Sequence, residues 1–369
     1  MNIKMNLLSI DFIRARLGKT GKHICFAAII IALVLTSILS EGPIVIFLGK
    51  CIAFAIVAIG LDLIWGYTGI LSLGHGLYFA LGGYAMAMYL KMQATGGALT
   101  EFMRTGGFTE LPLIWKPFLS APLSFILIIV VPAALAYIIG YFIFKNRVKG
   151  VYFSIISQAL TWAAYSVFIA MSPYTNGNVG ITEIKSVVGS IRGPANQGNL
   201  LTLFYAAIII LILIYAVSIF LVNTKFGKLL IAIRDGENRT YFSGYRVSLY
   251  KTFVYVLSAC FAGVAGALFV NFNGSITPSQ MTILFSINMI IWVAIGGRGT
   301  IIGAVIGAFL VNLCEYNLSS GSMVEIWQYL IGGLFCITIL FFKGGIAGLF
   351  TSQLPEMISK LKKRQPNAE

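Results

Sequence analysis

The sequence predicts an all-α protein: a polytopic transmembrane helical bundle of about ten helices, with one broken or re-entrant glycine-rich segment. Hydrophobic residues make up 58% of the 369 residues, and charged residues only 10%. The apolar residues also gather into runs close to the ~20 residues needed to cross ~30 Å of hydrocarbon. A charged fraction this low cannot keep a protein surface solvated in water. Most of this surface must therefore face lipid.

Ten apolar runs are the candidate membrane helices, and two of them are short for a full span. They cover residues 24–40, 44–64, 74–92, 122–144, 151–171, 200–222, 251–273, 281–296, 301–315 and 327–342. We expect one transmembrane domain over residues 24–350. A basic leader at 1–23 and a basic tail at 351–369 flank it.

The basic residues indicate how the chain sits in the membrane. With the amino terminus in the cytoplasm, most of the 26 Lys and Arg residues fall in the leader, the tail and the loops on that side. This asymmetry follows the positive-inside rule and predicts that both termini are cytoplasmic. A nucleic-acid face would instead cluster its basic residues along one soluble element. A signal peptide cleaved after residues 24–40 is an alternative, but an uncleaved first helix is favoured.

The sequence gives no sign of an enzyme or a metalloprotein. Its five cysteines are far apart in apolar runs, so neither disulfides nor a zinc site is indicated. The Gly18-Lys19-Thr20 run is similar to the end of a phosphate-binding loop, but Ile13 stands where the first glycine belongs. We therefore expect no catalytic residue, no metal and no cofactor on this chain, and any energy source must lie elsewhere.

A glycine-rich stretch at 62–76 lies between two apolar runs, where a plain helix would be expected. Glycine lets the backbone leave helical geometry, and unwound backbone at membrane depth survives only in a cavity wall or buried in protein. Broken helices expose helix ends and carbonyls that make polar binding surfaces in transporters. The candidate residues for a polar pathway are Trp65, Gly66, Tyr67, Thr68, Gly69, Ser72, Gly74, His75 and Gly76.

Helix packing is the alternative explanation for the glycines. We expect packing to explain Gly82 and Gly83, and also the GxxxG pair Gly303 and Gly307. A membrane histidine such as His75 deserves a functional hypothesis. A structural role, in which it bonds a carbonyl and holds the broken helix in shape, is slightly favoured.

The basic loop at 224–250 has the pattern of a docking element. It is mixed in charge, and Leu229, Leu230 and Ile233 fall at helical spacing. A short helix that offers charges and a few apolar side chains suits a soluble partner. A solvated connector is the alternative, but it needs no such patterning. The candidate coupling residues are Arg234, Asp235, Glu237, Arg239 and Gly244.

Several motifs resemble the permeases of branched-chain amino-acid ABC importers, and the resemblance runs from about residue 44 to 350. The motifs are WGYTGILSLGHG at 65–76, ALGGYAMAMYL at 80–90, KFG at 225–227, AIRD at 232–235, GYR at 244–246, SAC at 258–260, AGVAGAL at 262–268 and WVAIGGRGT at 292–300. The extended first motif, the stretch at 110–118 and the loop at 233–235 look most like the second permease of the urea-type importer.

The resemblance implies an assembly in a bacterial inner membrane. Its members are a homologous second permease, two cytoplasmic ATPases that bind the ATP, and an extracytoplasmic solute-binding protein. ATPase closure would push on the loop around Arg234 and Glu237, and the helices would alternate between outward and inward access. By motif position, the candidate lining for urea, a small neutral polar solute, is then the region of Tyr67, Thr68, Ser72 and His75.

Three alternatives stay open. Branched-chain amino acids are the first, through the same machine. A gradient-driven carrier or channel is the second, but it has no use for the patterned loop. A membrane enzyme using His75 with Asp62 is the third, and no nucleophile lies beside them. Asp62 and Lys50 cannot pair, because twelve residues separate them by roughly 18 Å along a helix. We expect each to snorkel to an end of its span.

Overall fold

The computed structural model describes residues 23–148 and 150–319, together with the isolated residues 21, 329, 332, 333, 336 and 345. The predicted leader, the tail and the run at 327–342 lie wholly or largely outside these residues. The helices of the described part are α1 His23–Leu39, α2 Gly42–Thr68, α3 His75–Ala94, α4 Glu101–Thr105, α5 Ala121–Lys145, α6 Val151–Ala170, α7 Ser172–Thr175, α8 Gln197–Asn223, α9 Lys225–Phe242, α10 Val247–Asn273, α11 Ile283–Gly296 and α12 Ile301–Ser319.

The helices confirm the predicted polytopic bundle. Nine of the ten predicted runs coincide with a helix, and the tenth falls mostly outside the described residues. Within the described residues, six helices are long and apolar enough to cross a membrane: α2, α5, α6, α8, α10 and α12. Their length and composition make this a multi-pass membrane protein.

Two long helices, α2 and α10, form the centre of the bundle. In each, 72% of the most apolar window is buried, against 28% in α5, 22% in α6 and 33% in α8. Helix α10 packs against α2, α3 and α5, and α2 packs against α8 and α12. The outer helices expose rows of Leu, Ile, Val and Phe. Such faces suit lipid or a further membrane subunit.

Glycines allow the central helices to touch, as predicted for Gly82, Gly83 and the GxxxG pair. A Cβ on Gly82 would collide with the backbone of Gly263 on α10. A Cβ on Gly307 would meet the carbonyl of Trp292 on α11. These side chains are absent because two backbones approach where they would stand.

The chain unwinds twice near the middle of the bundle. We call the end of the bundle beside α9 the α9 end, and the opposite one the far end. Segment 69–74 runs from the α9 end to His75, which bonds Ser258 near the middle of α10. Segment 274–282 comes from the far end, where α10 stops, and leads to α11. The helices that follow the two segments meet where the Gly76 N–H of α3 donates to Ser286 Oγ of α11 at 3.2 Å.

A helix, an unwound segment and a second helix thus follow one another twice: α2, segment 69–74 and α3, then α10, segment 274–282 and α11. The turn at Arg298 joins α11 to α12.

Candidate functional site

The predicted break begins later than the motif suggested. Helix α2 stays helical through Thr68, so Trp65, Gly66, Tyr67 and Thr68 form its last turn rather than unwound chain. Gly69 ends the helix with φ 79°, a left-handed conformation that suits glycine. Its N–H donates to the Trp65 carbonyl at 3.1 Å. Segment 69–74 is the unwound part, and the prediction of a broken glycine-rich segment is confirmed there.

Hydroxyl groups of α6 bind the backbone of segment 69–74. Ser154 Oγ donates to the Leu71 carbonyl at 2.7 Å, and the Leu73 N–H donates to Ser157 Oγ at 3.1 Å. Ser154, Ser157 and the next hydroxyl on this face, Thr161, are buried at helical spacing. Unwound backbone in an apolar region needs such partners, since each unpaired group costs several kcal/mol there.

His75 begins α3 and lies in a buried aromatic cluster. Its Nε2 and Ser258 Oγ are 2.6 Å apart, and the side chain is fully buried. Tyr78 and Tyr255 meet edge-on with the His75 ring and share a hydrogen bond of 2.7 Å between their hydroxyls. Sequence reasoning expected a carbonyl as the partner of His75, but the partner is a serine hydroxyl. The contact fastens the start of α3 to α10.

Asp62 is fully buried beside the turn between α11 and α12. Its Oδ1 accepts the Gly299 N–H at 2.6 Å. The prediction that Asp62 snorkels out of the bundle is therefore wrong, because this turn closes over it. Gly66 is required at this contact, since a Cβ there would stand only 2.6 Å from the Gly299 nitrogen.

Two arginines hold the last carbonyls of α2. Arg298 Nε donates to the Trp65 carbonyl at 3.2 Å, and Arg234 Nη1 donates to the Gly66 carbonyl at 2.9 Å. Cations suit a helix C-terminus, where unpaired carbonyls carry partial negative charge. Desolvation lowers the pKa of Arg298, and the nearby Arg234 acts in the same direction, but a guanidinium stays charged.

A second contact joins α9 to α10. Lys251 Nζ lies 2.7 Å from Glu237 Oε1, and the lysine side chain is only 7% exposed. The same ammonium lies 5.9 Å from the centre of the Phe144 ring on α5. Helix α9 therefore contacts both central helices through charged side chains: α2 through Arg234 and α10 through Glu237.

The apolar stripe of α9 does not face a partner. Leu230 is 1% exposed and Ile233 is 2% exposed, so both pack against this chain's own bundle. The prediction that the stripe offers docking contacts is wrong for these two residues, because periodicity defines a face but not its neighbour. Leu229, the third residue of the stripe, is half-buried. The exposed part of α9 and the following turn carries Arg239, Tyr241, Phe242, Gly244 and Tyr245.

The structure assembles the sequence candidates into two groups. The first group lies along or just after segment 69–74 and consists of Ser72, Gly74, His75 and Gly76. The second group lies on α9, near the end of α2 and the start of α10, and consists of Arg234, Asp235 and Glu237. Arg239 and Gly244 stay at the surface. Sequence reasoning missed the roles of Ser154, Ser157, Ser286 and Lys251. Hydroxyls at helical spacing in the apolar run of α6 were the available signal.

No group of three or more His, Cys, Asp or Glu side chains that could hold a metal ion occurs within the described residues. Hydroxyl, imidazole and backbone groups make up the buried polar region. They can hydrogen-bond a solute, and the Ser258 hydroxyl beside the His75 ring fastens α3 to α10. The fold and this buried polar break are those of a membrane transport subunit.

Comparison with known proteins identifies the family. Residues 44–340 match the family described as branched-chain amino acid transport system / permease component. The match spans well over half of the chain, so this chain belongs to that permease family. The family part of the sequence prediction is confirmed.

Individual relatives cover most of the chain at low identity. LivM of Salmonella typhimurium, a high-affinity branched-chain amino acid transport system permease, is 23% identical over 95% of this chain and 80% of its own length. A probable branched-chain amino acid permease, LivH of Methanocaldococcus jannaschii, is 25% identical over 82% of this chain and 91% of its own length. The galactose/methyl galactoside import permease MglC of Escherichia coli is 27% identical over a shorter stretch, 47% of this chain and 51% of its own length. No solved structure matches.

The names of these relatives fit the branched-chain amino-acid alternative better than urea. The urea prediction has no support from them and remains a prediction.

Proposed function

We propose that this chain is the permease subunit of an ATP-driven importer that carries branched-chain amino acids into a bacterial cytoplasm. The observation that carries the proposal is the contact between Arg234 on α9 and the Gly66 carbonyl, where the buried break begins. It connects α9, which lies outside the bundle, directly to the last turn of α2, immediately before the unwound segment. The relatives' names support the solute class.

The α9 end is the cytoplasmic side in this proposal, and both termini lie there. This end carries more of the described basic residues, on its loops and helix ends: Lys145, Arg147, Lys225, Lys228, Arg234, Arg239, Arg246, Lys251 and Arg298. The far-end half carries Lys50, Lys91, Arg104, Lys116, Lys185 and Arg192. The positive-inside rule supports this orientation.

The partners follow from the two ends. Two cytoplasmic ATPases bind ATP, and one of them contacts the exposed part of α9, including Arg239 and Phe242, which is 84% exposed. A solute-binding protein meets the far end. A homologous second permease completes the pathway across the membrane. No ATP binds to this chain.

Movement of α9 would reach both central helices. Arg234 pulls on the end of α2 and Glu237 pulls on the first turns of α10 through Lys251. Packed helices transmit such displacements because a close-packed interior does not deform continuously. Segment 69–74, with Ser72 and His75, then changes its exposure as the bundle alternates between outward and inward access.

Uptake of labelled leucine and labelled urea, each at low concentration, tests this proposal. Cells with this gene and its partners should accumulate leucine, and a partner ATPase that cannot hydrolyse ATP should abolish the uptake. Arg234→Ala removes the contact with Gly66 and should lower leucine uptake about tenfold, equivalent to ~1.4 kcal/mol. Lys228→Ala, at an exposed position on the same helix, is the matched control and should lower uptake less.

Two results would contradict the proposal. Energy-dependent uptake of urea without leucine would keep the importer and replace the solute. Uptake that persists with the inactive ATPase would remove the ATP-driven mechanism in favour of a gradient-driven carrier or channel.

A further inference from the structure

A cavity of about 220 Å³ lies between α9 and the bundle at the α9 end. Its roof is the start of the break, from Thr68 to Ile70, and its floor is the middle of α9. The turn between α5 and α6 closes one side. Pockets for drug-sized ligands occupy about 300–1,000 Å³, so this cavity suits a smaller molecule.

The walls of the cavity combine both signs of charge. Arg234 and Lys251 supply cations, and Asp235 and Glu237 supply carboxylates. Asp235 and Glu237 both line the cavity because Gly236 leaves helical geometry between them, with φ −167° and ψ 73°. The two hydrogen bonds of Arg234, to Asp235 and Gly66, use two of the five donors of a guanidinium.

Apolar side chains also line the cavity: Ile70, Phe153 and Val148. The charges pair with one another, Arg234 with Asp235 and Lys251 with Glu237. A molecule with an ammonium, a carboxylate and a branched hydrocarbon side chain can bridge such pairs and contact the apolar lining. Urea carries neither a charge nor an apolar part, so it matches this lining less well.

We infer that this cavity binds a zwitterionic amino acid with an apolar side chain, as a site that the solute occupies after passing the break. The inference rests on the proposed function for its solute. Arg234 bonds the carboxylate, Glu237 and Asp235 bond the ammonium, and Ile70 and Phe153 contact the side chain. A transport site must also release its solute, so millimolar affinity is expected.

Photo-crosslinking of the full chain in lipid nanodiscs tests the site. The probe is photo-leucine, a diazirine analogue of leucine, and labelled peptides are mapped by mass spectrometry. The label should fall on peptides that contain residues 68–70, 144–153 or 233–237. Leucine should compete more strongly than 3-methylbutylamine or 4-methylpentanoate, each of which lacks one of its charges. Urea should compete least.

A pair of variants localises the binding. Val148→Phe fills the cavity and should lower labelling about tenfold, equivalent to a tenfold weaker affinity. Val151→Phe makes the same change three residues away at an exposed position and should leave labelling unchanged. If Val148→Phe does not fold, the competition series on the unaltered chain decides.

The inference is overturned by label that avoids the cavity, by equal labelling of the two variants, or by single-charge analogues that compete as well as leucine. With ATP-driven leucine uptake established, such a result removes the cavity site and leaves the proposed function standing. If cells take up urea but not leucine while photo-leucine still labels the cavity specifically, the cavity site stands and the proposed solute is wrong.

Discussion

The two unwound segments enter the bundle from opposite ends and are held in different ways. Segment 69–74 is bonded by side chains, through Ser154 and Ser157 of α6. Segment 274–282 is bonded mainly by backbone. Ile276 exchanges two N–H···O bonds of 2.9 Å with Ile181, which lies in the loop between α7 and α8. A local cap between Thr277 and Gln280 completes its hydrogen bonds.

The difference teaches which parts of the molecule control each segment. Membrane helices hold segment 69–74, so its conformation follows their positions and, through Arg234, that of α9. A far-end loop holds segment 274–282, so the start of α11 follows that loop. Helix α9 at one end of the bundle is thus connected to segment 69–74, and the loop at the far end is connected to segment 274–282.

The largest effect is expected at Gly76, in the first turn of α3, where that helix contacts segment 274–282 and α11. In Gly76→Val, the added Cβ would lie 2.7 Å from the Gln280 carbonyl and 2.9 Å from Ser286 Oγ. Backbone cannot give way as a flexible side chain can, so we expect about 3 kcal/mol of destabilisation or more. Thermal unfolding of the purified protein and leucine uptake measure the loss. Gly198→Val, at an open position on α8, is the control. Equal stability of the two variants would mean that the start of α3 does not contact segment 274–282.

A smaller loss is expected when the hydroxyl partner of segment 69–74 is removed. Ser157→Ala leaves the Leu73 N–H without its acceptor in a buried place, which costs about 1–3 kcal/mol. The melting temperature should fall and uptake with it. Ser166→Ala, on the exposed face of the same helix, should change neither. An unchanged melting temperature in Ser157→Ala would show that α6 does not hold the segment.

The smallest effect belongs to segment 274–282. Gln280→Ala removes the Oε1 that accepts the Thr277 N–H at 3.0 Å. The site is only partly buried and water can replace the bond, so we expect about 1 kcal/mol or less. Gln197→Ala makes the same change at an exposed far-end position and should have no effect on the melting temperature. If the melting temperature falls further in Gln280→Ala than in Ser157→Ala, the proposed ranking of the two segments is wrong.

The same two segments show what sequence could predict. Segment 69–74 lies within a cluster of glycines that are neighbours in sequence, so composition alone indicates a break. The second break has a weaker signal: a short apolar run at 281–296 and Pro278 before it. Its defining contact, with Ile181, joins residues almost a hundred positions apart and leaves no local pattern.

Asp62 and α9 also show that sequence patterns do not predict which neighbours a residue contacts. Sequence spacing placed Asp62 near the end of its span, but only the turn at Gly299 decides that it is buried. Helical periodicity identified an apolar stripe with Leu230 and Ile233 on α9. It could not say that this stripe packs on the bundle, because periodicity carries no information about the neighbour.

The long sequence separation of the contacts around His75 has a consequence for biosynthesis. Ser157 follows Leu73 by 84 residues, Ser258 follows His75 by 183, and Ser286 follows Gly76 by 210. At about 5–20 residues per second, a ribosome needs on the order of 10–40 seconds to add the last of these. The partners are added one after another, so until the last is made some of these polar groups have no partner and cannot settle in hydrocarbon. Membrane integration of α2 and α3 is therefore completed only when α10 and α11 emerge, which makes the order of synthesis part of how this bundle assembles.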